Sequence, residues 1–292
     1  MTAPPFGSGM LYGLLAAFFW GTHSVIVRHL DMDMGGVAVA CLRLYIAALT
    51  LLLVLRYRKY QVTIAYRDKT FLVTMLAVTI NFIFFHIGLE YTNASNAMVL
   101  ENTAPFFVIF GLFLFWRHKP APLELTAVVL AVIGVIFTVR QDFVLGGSGR
   151  VGDLLEIAAG VTWAVFIVGS SRALSQTSGI NERMNYLFGI FLLSAVLLTP
   201  FLFFTSYNVD LLDILLLVLL GVLPTAIACM LWYEAAARVS TVTAALLFSL
   251  SIVFTFFFAY IFLGEEIVPD MIIGGALIVA GVGLSKFGPQ RT

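Results

Sequence analysis

The sequence predicts an all-α membrane protein: ten transmembrane helices forming two inverted-topology five-helix repeats around a central cavity. Three observations carry that expectation. Of the 292 residues, 61% are apolar and 11% charged, against about 45–50% and roughly 25% in an average soluble domain. The apolar residues gather into ten windows of near-membrane length, with little chain left between them. The two halves repeat one another weakly, and each holds an odd number of windows.

A spanning helix needs roughly 20 mostly apolar residues, within a range of about 17–25. The windows fall at about 10–30, 35–56, 70–89, 94–116, 122–140, 152–173, 184–206, 211–236, 240–263 and 269–286. The N-terminus, Met1-Thr2-Ala3-Pro4-Pro5, lacks a basic segment before the first run and a small-residue cleavage site after a short one, so that run is expected to stay as a helix. Connections are short and carry helix breakers or charge, such as Arg56-Tyr57-Arg58-Lys59, Arg117-His118-Lys119-Pro120 and Gly146-Gly147-Ser148-Gly149. No soluble domain fits between the windows. The fifth, sixth and tenth have only about 15 residues free of charge, so their flanking charges must sit at or snorkel to the headgroups.

Basic residues in the loops set the orientation. With both termini cytoplasmic, that side holds the twelve residues Arg56, Arg58, Lys59, Arg67, Lys69, Arg117, Lys119, Arg172, Arg183, Arg238, Lys286 and Arg291. The opposite side holds three, Arg28, Arg140 and Arg150, and Arg43 falls within the second window. Over the whole chain 16 Lys and Arg balance 16 Asp and Glu, and aromatics are not interleaved with basic runs, which argues against a nucleic-acid partner. Cys41 and Cys229 lie inside apolar runs and read as buried small hydrophobes with no disulfide.

The repeat shows first in Leu14-Leu15-Ala16-Ala17-Phe18-Phe19-Trp20, which parallels Ile157-Ala158-Ala159-Gly160-Val161-Thr162-Trp163 at an offset of 143. It shows again in Ala94-Ser95-Asn96-Ala97 through Phe115 and Gly134-Val135, which parallels Thr241-Val242-Thr243-Ala244 through Phe262 and Gly281-Val282 at an offset of 147. The expected units are residues 1–146 and 147–292. Five spans per unit make the halves enter the membrane from opposite sides, the arrangement of transporters that alternate access around a midplane site.

Three motifs resemble the drug/metabolite transporter superfamily, specifically its EamA-type permeases. They are Ala16-Ala17-Phe18-Phe19-Trp20-Gly21, then Glu90-Tyr91-Thr92-Asn93-Ala94-Ser95-Asn96-Ala97 leading to Pro105-Phe106-Phe107, and Leu263-Gly264-Glu265-Glu266. Within that superfamily the chain is most similar to the YddG branch of aromatic amino-acid exporters. One departure is Ile252 where the first half has Pro105, so the two helix breaks are not equivalent. The resemblance implies a multi-pass protein of the bacterial inner (plasma) membrane that exports amino acids, aromatic and other neutral ones, with no cofactor. Its partners would be a small-molecule substrate and membrane lipids.

Ionisable groups inside a span cost about 2.5–3.5 kcal/mol at a helix centre and face a cavity or a partner. Glu101 lies in the fourth window with Asn102 beside it, and Pro105 cannot donate the backbone bond that the Glu101 carbonyl would accept. A carboxylate, an amide and a freed carbonyl thus cluster at depth, to line a substrate path or to pack a kink. In the third window Asn81 and Phe85, and Phe82 and His86, have the i,i+4 spacing of one helical face. Amide, imidazole and rings suit a zwitterion with an aromatic side chain, although packing would use the same rings. Trp20 and Trp163 are repeat-related and sit mid-span rather than in the interfacial belts, where they could stack on a ring or hold an ammonium. His23, three residues beyond Trp20, could titrate near neutral pH, so His23, His86 and Glu101 are all candidates if protons are coupled.

Arg43 is read as structural, with Asp31, Asp33 or Glu101 as a partner. Pro105 and Pro224 are expected hinges, the latter with Gly221 nearby, and Pro200 frees a carbonyl in the seventh window. The acidic residues Asp210, Asp213, Glu265, Glu266 and Asp270 are read as outer-loop charge with no ion site. An integral-membrane enzyme is the contrasting class, yet there is no His-Glu-x-x-His helix, no Gly-x-Ser-x-Gly turn and no P-loop, and His23, His29, His86 and His118 are scattered. His86 and Glu90 alone make a poor metal site. A passive facilitator would keep the same fold.

Overall fold

Backbone N–H and C=O groups find no water in hydrocarbon, so an apolar run that enters a bilayer must satisfy them internally, as a helix. The structure, a computed structural model, describes residues 8–117, 119–145, 150–176, 179–205, 208–285 and 287. His118, the 146–149 turn, Lys286 and Arg291 lie outside the described residues, as do the side chains of Asp31, Asp33 and Arg140. Among the described residues all regular structure is helical.

Among the described residues eight segments are long and apolar enough to cross a membrane: Ser8–Leu30, Gly36–Tyr57, Lys69–Tyr91, Ala94–Trp116, Arg150–Ser175, Ile180–Phe204, Leu211–Ala236 and Thr241–Leu263. At the fifth and tenth windows the described apolar helices are Pro122–Thr138 and Pro269–Ser285, each bordering residues whose side chains are not described. The sixth, with equally few charge-free residues, is a full-length segment.

Of the eight segments, four are unbroken α-helices, one ends in a 3-10 turn and three are interrupted. The first comprises α1 (Ser8–Gly21) and α2 (His23–Met34), interrupted at Thr22, whose hydroxyl donates to the Phe19 carbonyl at 2.7 Å. Next come α3 (Gly36–Tyr57) and α4 (Lys69–Tyr91), the latter capped by Asp68. The fourth segment divides into α5 (Ala94–Glu101) and α6 (Ala104–Trp116), with Pro105 in the first turn of α6. The α-helical pattern is thus interrupted over Asn102-Thr103, just before Pro105. Helices α7 (Pro122–Leu145), α8 (Arg150–Gln176) and α9 (Ile180–Leu198) follow, and α9 passes into a 3-10 turn, Thr199–Phe204, that contains Pro200. Between α10 (Leu211–Leu220) and α11 (Ala228–Ala236) the chain widens into a π-helical turn, Gly221–Ile227, around Pro224. Helices α12 (Thr241–Leu263) and α13 (Pro269–Ser285) complete the chain.

Small residues let these helices approach backbone to backbone. A Cβ at Gly152, near the start of α8, would meet the Gly88 carbonyl at 2.8 Å, near the end of α4, and one at Gly169 would meet the Thr74 hydroxyl at 2.1 Å. Helices α4 and α8 therefore lie antiparallel. Helices α7 and α13 do the same through Gly134 and Gly274, whereas α1 and α12 run parallel, with Gly13 against Leu247 and Gly21 against Phe254. The chain after α3 folds onto the start of α9, where Asn185 accepts from the Thr63 N–H and donates to the Gln61 carbonyl. The interior carries Trp232, Tyr233, Phe166 and Phe85, fully buried, while large apolar side chains such as Leu53, Phe110 and Phe115 point outward.

Candidate substrate site

The three helix interruptions are where polar groups collect. Arg43 on α3 is 2% exposed, and its guanidinium donates through Nε and Nη2 to the Thr225 hydroxyl at 3.0 and 2.9 Å. Thr225 lies in the π turn, and its own hydrogen goes to the Leu220 carbonyl at 2.7 Å. That carbonyl lies four residues before Pro224, which has no N–H to offer it. The proline thus frees an acceptor, the threonine fills it, and the hydroxyl oxygen so oriented holds the arginine. This chain of causes was not read from the sequence, which treated Arg43 as structural and left Thr225 unremarked. The available signal was a lone arginine within a span, which must find polar partners.

The guanidinium also bonds His23 at the start of α2 and reaches the His86 Nε2 on α4 at 3.4 Å, and it lies over the Phe82 ring at 4.7 Å. His23 stacks on Phe85 with centroids 4.5 Å apart, and His86 meets Phe85 edge-on at 5.8 Å. The α4 face expected from the i,i+4 spacing thus gathers around Arg43. Of the carboxylates expected beside Arg43, Glu101 is bound by Asn81, whose Nδ2 donates to Glu101 Oε1 at 3.0 Å and to the Ala159 carbonyl of α8 at 2.9 Å. Asn102 donates to the Met98 carbonyl at 2.8 Å, and its Oδ1 is buried without a hydrogen-bond partner among the described residues. Gly160 admits the freed Glu101 carbonyl, which a Cβ there would meet at 2.8 Å.

An aromatic cluster adjoins these groups. Trp20 and Trp163 meet edge to face at 5.8 Å, and Phe248 of α12 lies 5.2 Å from each. Trp232 of α11 adds a fourth ring, 6.3 Å from Trp20, and its N–H is held by the Ala244 carbonyl at 3.0 Å. The Trp163 N–H is buried with no acceptor among the described residues. Sequence reasoning missed Trp232 and Phe248, whose depth alone does not distinguish them from packing residues. Among the residues expected at the site, Trp20 and Trp163 come together in this cluster, His23, Phe82, Phe85 and His86 gather around Arg43, and Asn81 pairs with Glu101, the neighbour of Asn102.

Several other charged groups have local duties. Glu90 accepts from the Gly36 N–H at 2.9 Å, Asp210 and Asp213 form a capping box at the start of α10, and Ser95 bonds Glu265. Among the described residues no group of three His, Cys, Asp or Glu side chains is placed to hold a metal.

Comparison with known proteins gives a consistent result. The model of the EamA-like transporter family matches twice, over residues 7–140 and 150–287. An uncharacterized transporter of Archaeoglobus fulgidus is 31% identical over 215 residues, covering 71% of this chain and 72% of its own. One from Clostridium kluyveri is 26% identical over 94% of this chain and 91% of its own, and the uncharacterized transporter YoaV of Bacillus subtilis is 21% identical over 95% and 96%. A protein of known crystal structure shares the fold with a TM-score of 0.74, at 18% identity, over 96% of this chain and 98% of the other.

Proposed function

The chain belongs to the EamA-like transporter family and is a membrane transporter of the drug/metabolite superfamily, and from that premise we propose that it exports amino acids, aromatic ones included, by alternating access. The carrying observation is the buried Arg43 guanidinium beside a cage of indole rings. A zwitterionic aromatic amino acid has a matching charge for each part. Its carboxylate suits the guanidinium, its ammonium suits Glu101 and the tryptophan faces, and its ring suits stacking on Trp20, Trp163 or Phe248. The unpartnered Trp163 N–H and Asn102 Oδ1 supply one further donor and one acceptor.

In this reading α7 and α13 also cross the bilayer, making ten spans in two oppositely oriented units, 1–146 and 147–292. The two family matches and the antiparallel seating of α8 on α4 support it. Charge sidedness supports cytoplasmic termini in the bacterial inner membrane. Pro105 and the π turn at Pro224 serve as hinges, since both leave backbone that need not move as a rigid rod. His23, His86 and Glu101 are the proton carriers if flux is coupled to protons.

The test is flux in liposomes against a panel of amino acids, nucleotide sugars and cationic drugs, with and without an imposed pH step. Aromatic amino acids are expected to move, and Trp163→Ala and Glu101→Ala to lose roughly tenfold in flux, the scale of one buried cation–π or charge contact, while still purifying as monodisperse protein. Wild-type flux in both variants, or movement of only the other substrate classes, would reject the proposal.

A further inference from the structure

A second concave site lies on the outer wall, away from the Arg43 cluster. It is a groove of about 890 Å³ between α4, α6 and α8. Its shape follows from how α6 is attached. At its start α6 is pinned to α8, because a Cβ at Gly160 would meet the Thr103 hydroxyl at 2.6 Å, and α4 is pinned to α8 at Gly169 and Thr74. Towards its other end, α6 diverges from the α4–α8 pair. The resulting wedge is floored by Val165 and Val168 and walled by Val73, Phe107 and Phe110. Its depth depends on Gly111, where an added Cβ would meet nothing within 4 Å.

Charge sits only at the wide end. Lys69, at the start of α4, and Arg172, on α8, border the groove there, and both are exposed. The Arg172 guanidinium lies over the Trp116 ring at 3.9 Å, which holds its planar fork in place. The adjacent carboxylate, Asp68, is engaged as the cap of the Thr70 N–H at 2.9 Å. A long hydrocarbon slot that ends in two cations at a helix boundary matches one chemistry: an acyl chain joined to an anionic phosphate. The volume lies within the roughly 300–1,000 Å³ of specific small-molecule sites.

We propose that this groove binds one anionic phospholipid, its acyl chain along Gly111 and its phosphate between Lys69 and Arg172. The site is independent of the transported substrate. Its lining includes Val161 of α8, next to Gly160, and Phe107 of α6, so an occupying chain braces α6 against α8.

Native mass spectrometry of the full chain in detergent, with phosphatidylglycerol or phosphatidylcholine added, tests this. The wild type is expected to retain one phosphatidylglycerol with roughly tenfold preference over phosphatidylcholine, and glycerol 3-phosphate, which lacks the chain, is expected not to compete. The double variant Lys69→Gln/Arg172→Gln loses the preference, and Gly111→Leu, which fills the slot without a clash, loses retention of both lipids. Equal retention of the two lipids by the wild type, or competition by glycerol 3-phosphate, overturns the proposal whatever the variants do. So does unchanged retention in a variant that elutes as the wild type does.

Discussion

At the scale of single residues, the Thr225 hydroxyl joins two problems that would otherwise each need a solution. Pro224 leaves the Leu220 carbonyl without its helical donor, and Arg43 brings a charge into the interior. A hydroxyl can donate once and accept twice, and Thr225 does both at distances of 2.7 to 3.0 Å. Removing it with Thr225→Val takes the Thr225 acceptor from two charged donors of Arg43, at an expected cost of about 1–3 kcal/mol. Thr225→Ser, which keeps the oxygen, is expected to lose less than half of that. Denaturant unfolding in detergent, compared across the two variants, measures the difference, and equal losses would mean that the methyl group rather than the hydroxyl matters. The sequence announced Arg43 as a residue needing a partner but could not name Thr225, 182 positions away. It did bring out Asn81 and His86, because i,i+4 spacing places them with Phe85 and Phe82 on a face that needs no tertiary information to recognise.

At the scale of elements, glycine decides which helices touch. In the α7–α13 pair, a Cβ at Gly274 would meet the Gly134 carbonyl at 2.5 Å and the Thr138 methyl at 2.4 Å, whereas one at Gly283 on the same helix meets nothing within 4 Å. Gly274→Val is therefore expected to force the pair apart and cost about 1–3 kcal/mol, as overpacking does, while Gly283→Val leaves the unfolding midpoint unchanged. A matching loss in both would locate the effect in helix propensity instead. Element boundaries were largely legible beforehand. Asp68, Asn93 and Ser240 each cap a helix start, and the windows at 94–116 and 240–263 coincide with Ala94–Trp116 and Thr241–Leu263 to within a residue. The π turn was not legible, because Pro224 signals only a missing N–H and several local geometries can absorb it.

At the scale of the whole molecule, the direction of each segment is the property on which the proposed alternating access depends. The loop after α3 rests on the start of α9, and the start of α8 rests on the end of α4. Position 58 should thus face one side of the membrane and position 150 the other. Both native cysteines are buried, so single cysteines introduced at these two positions can be labelled against a quiet background. A membrane-impermeant maleimide is expected to label position 150 in right-side-out vesicles and position 58 only in inverted ones. Labelling of both from one side would remove the two oppositely oriented units and the proposed route with them.

The sequence by itself determined that the chain is helical and membrane-embedded, and roughly where each helix starts and stops. It could do so because in hydrocarbon every backbone hydrogen bond is made within its own segment, so the information is local. Only the tertiary structure decided which side chains share the interior: Arg43 with Thr225, Trp20 with Trp163 and Trp232, Asn81 with Glu101. Those contacts depend on crossing points between helices, which small residues and proline breaks select from many arrangements of equal hydrophobicity. Spacing along one helix carries no record of that selection.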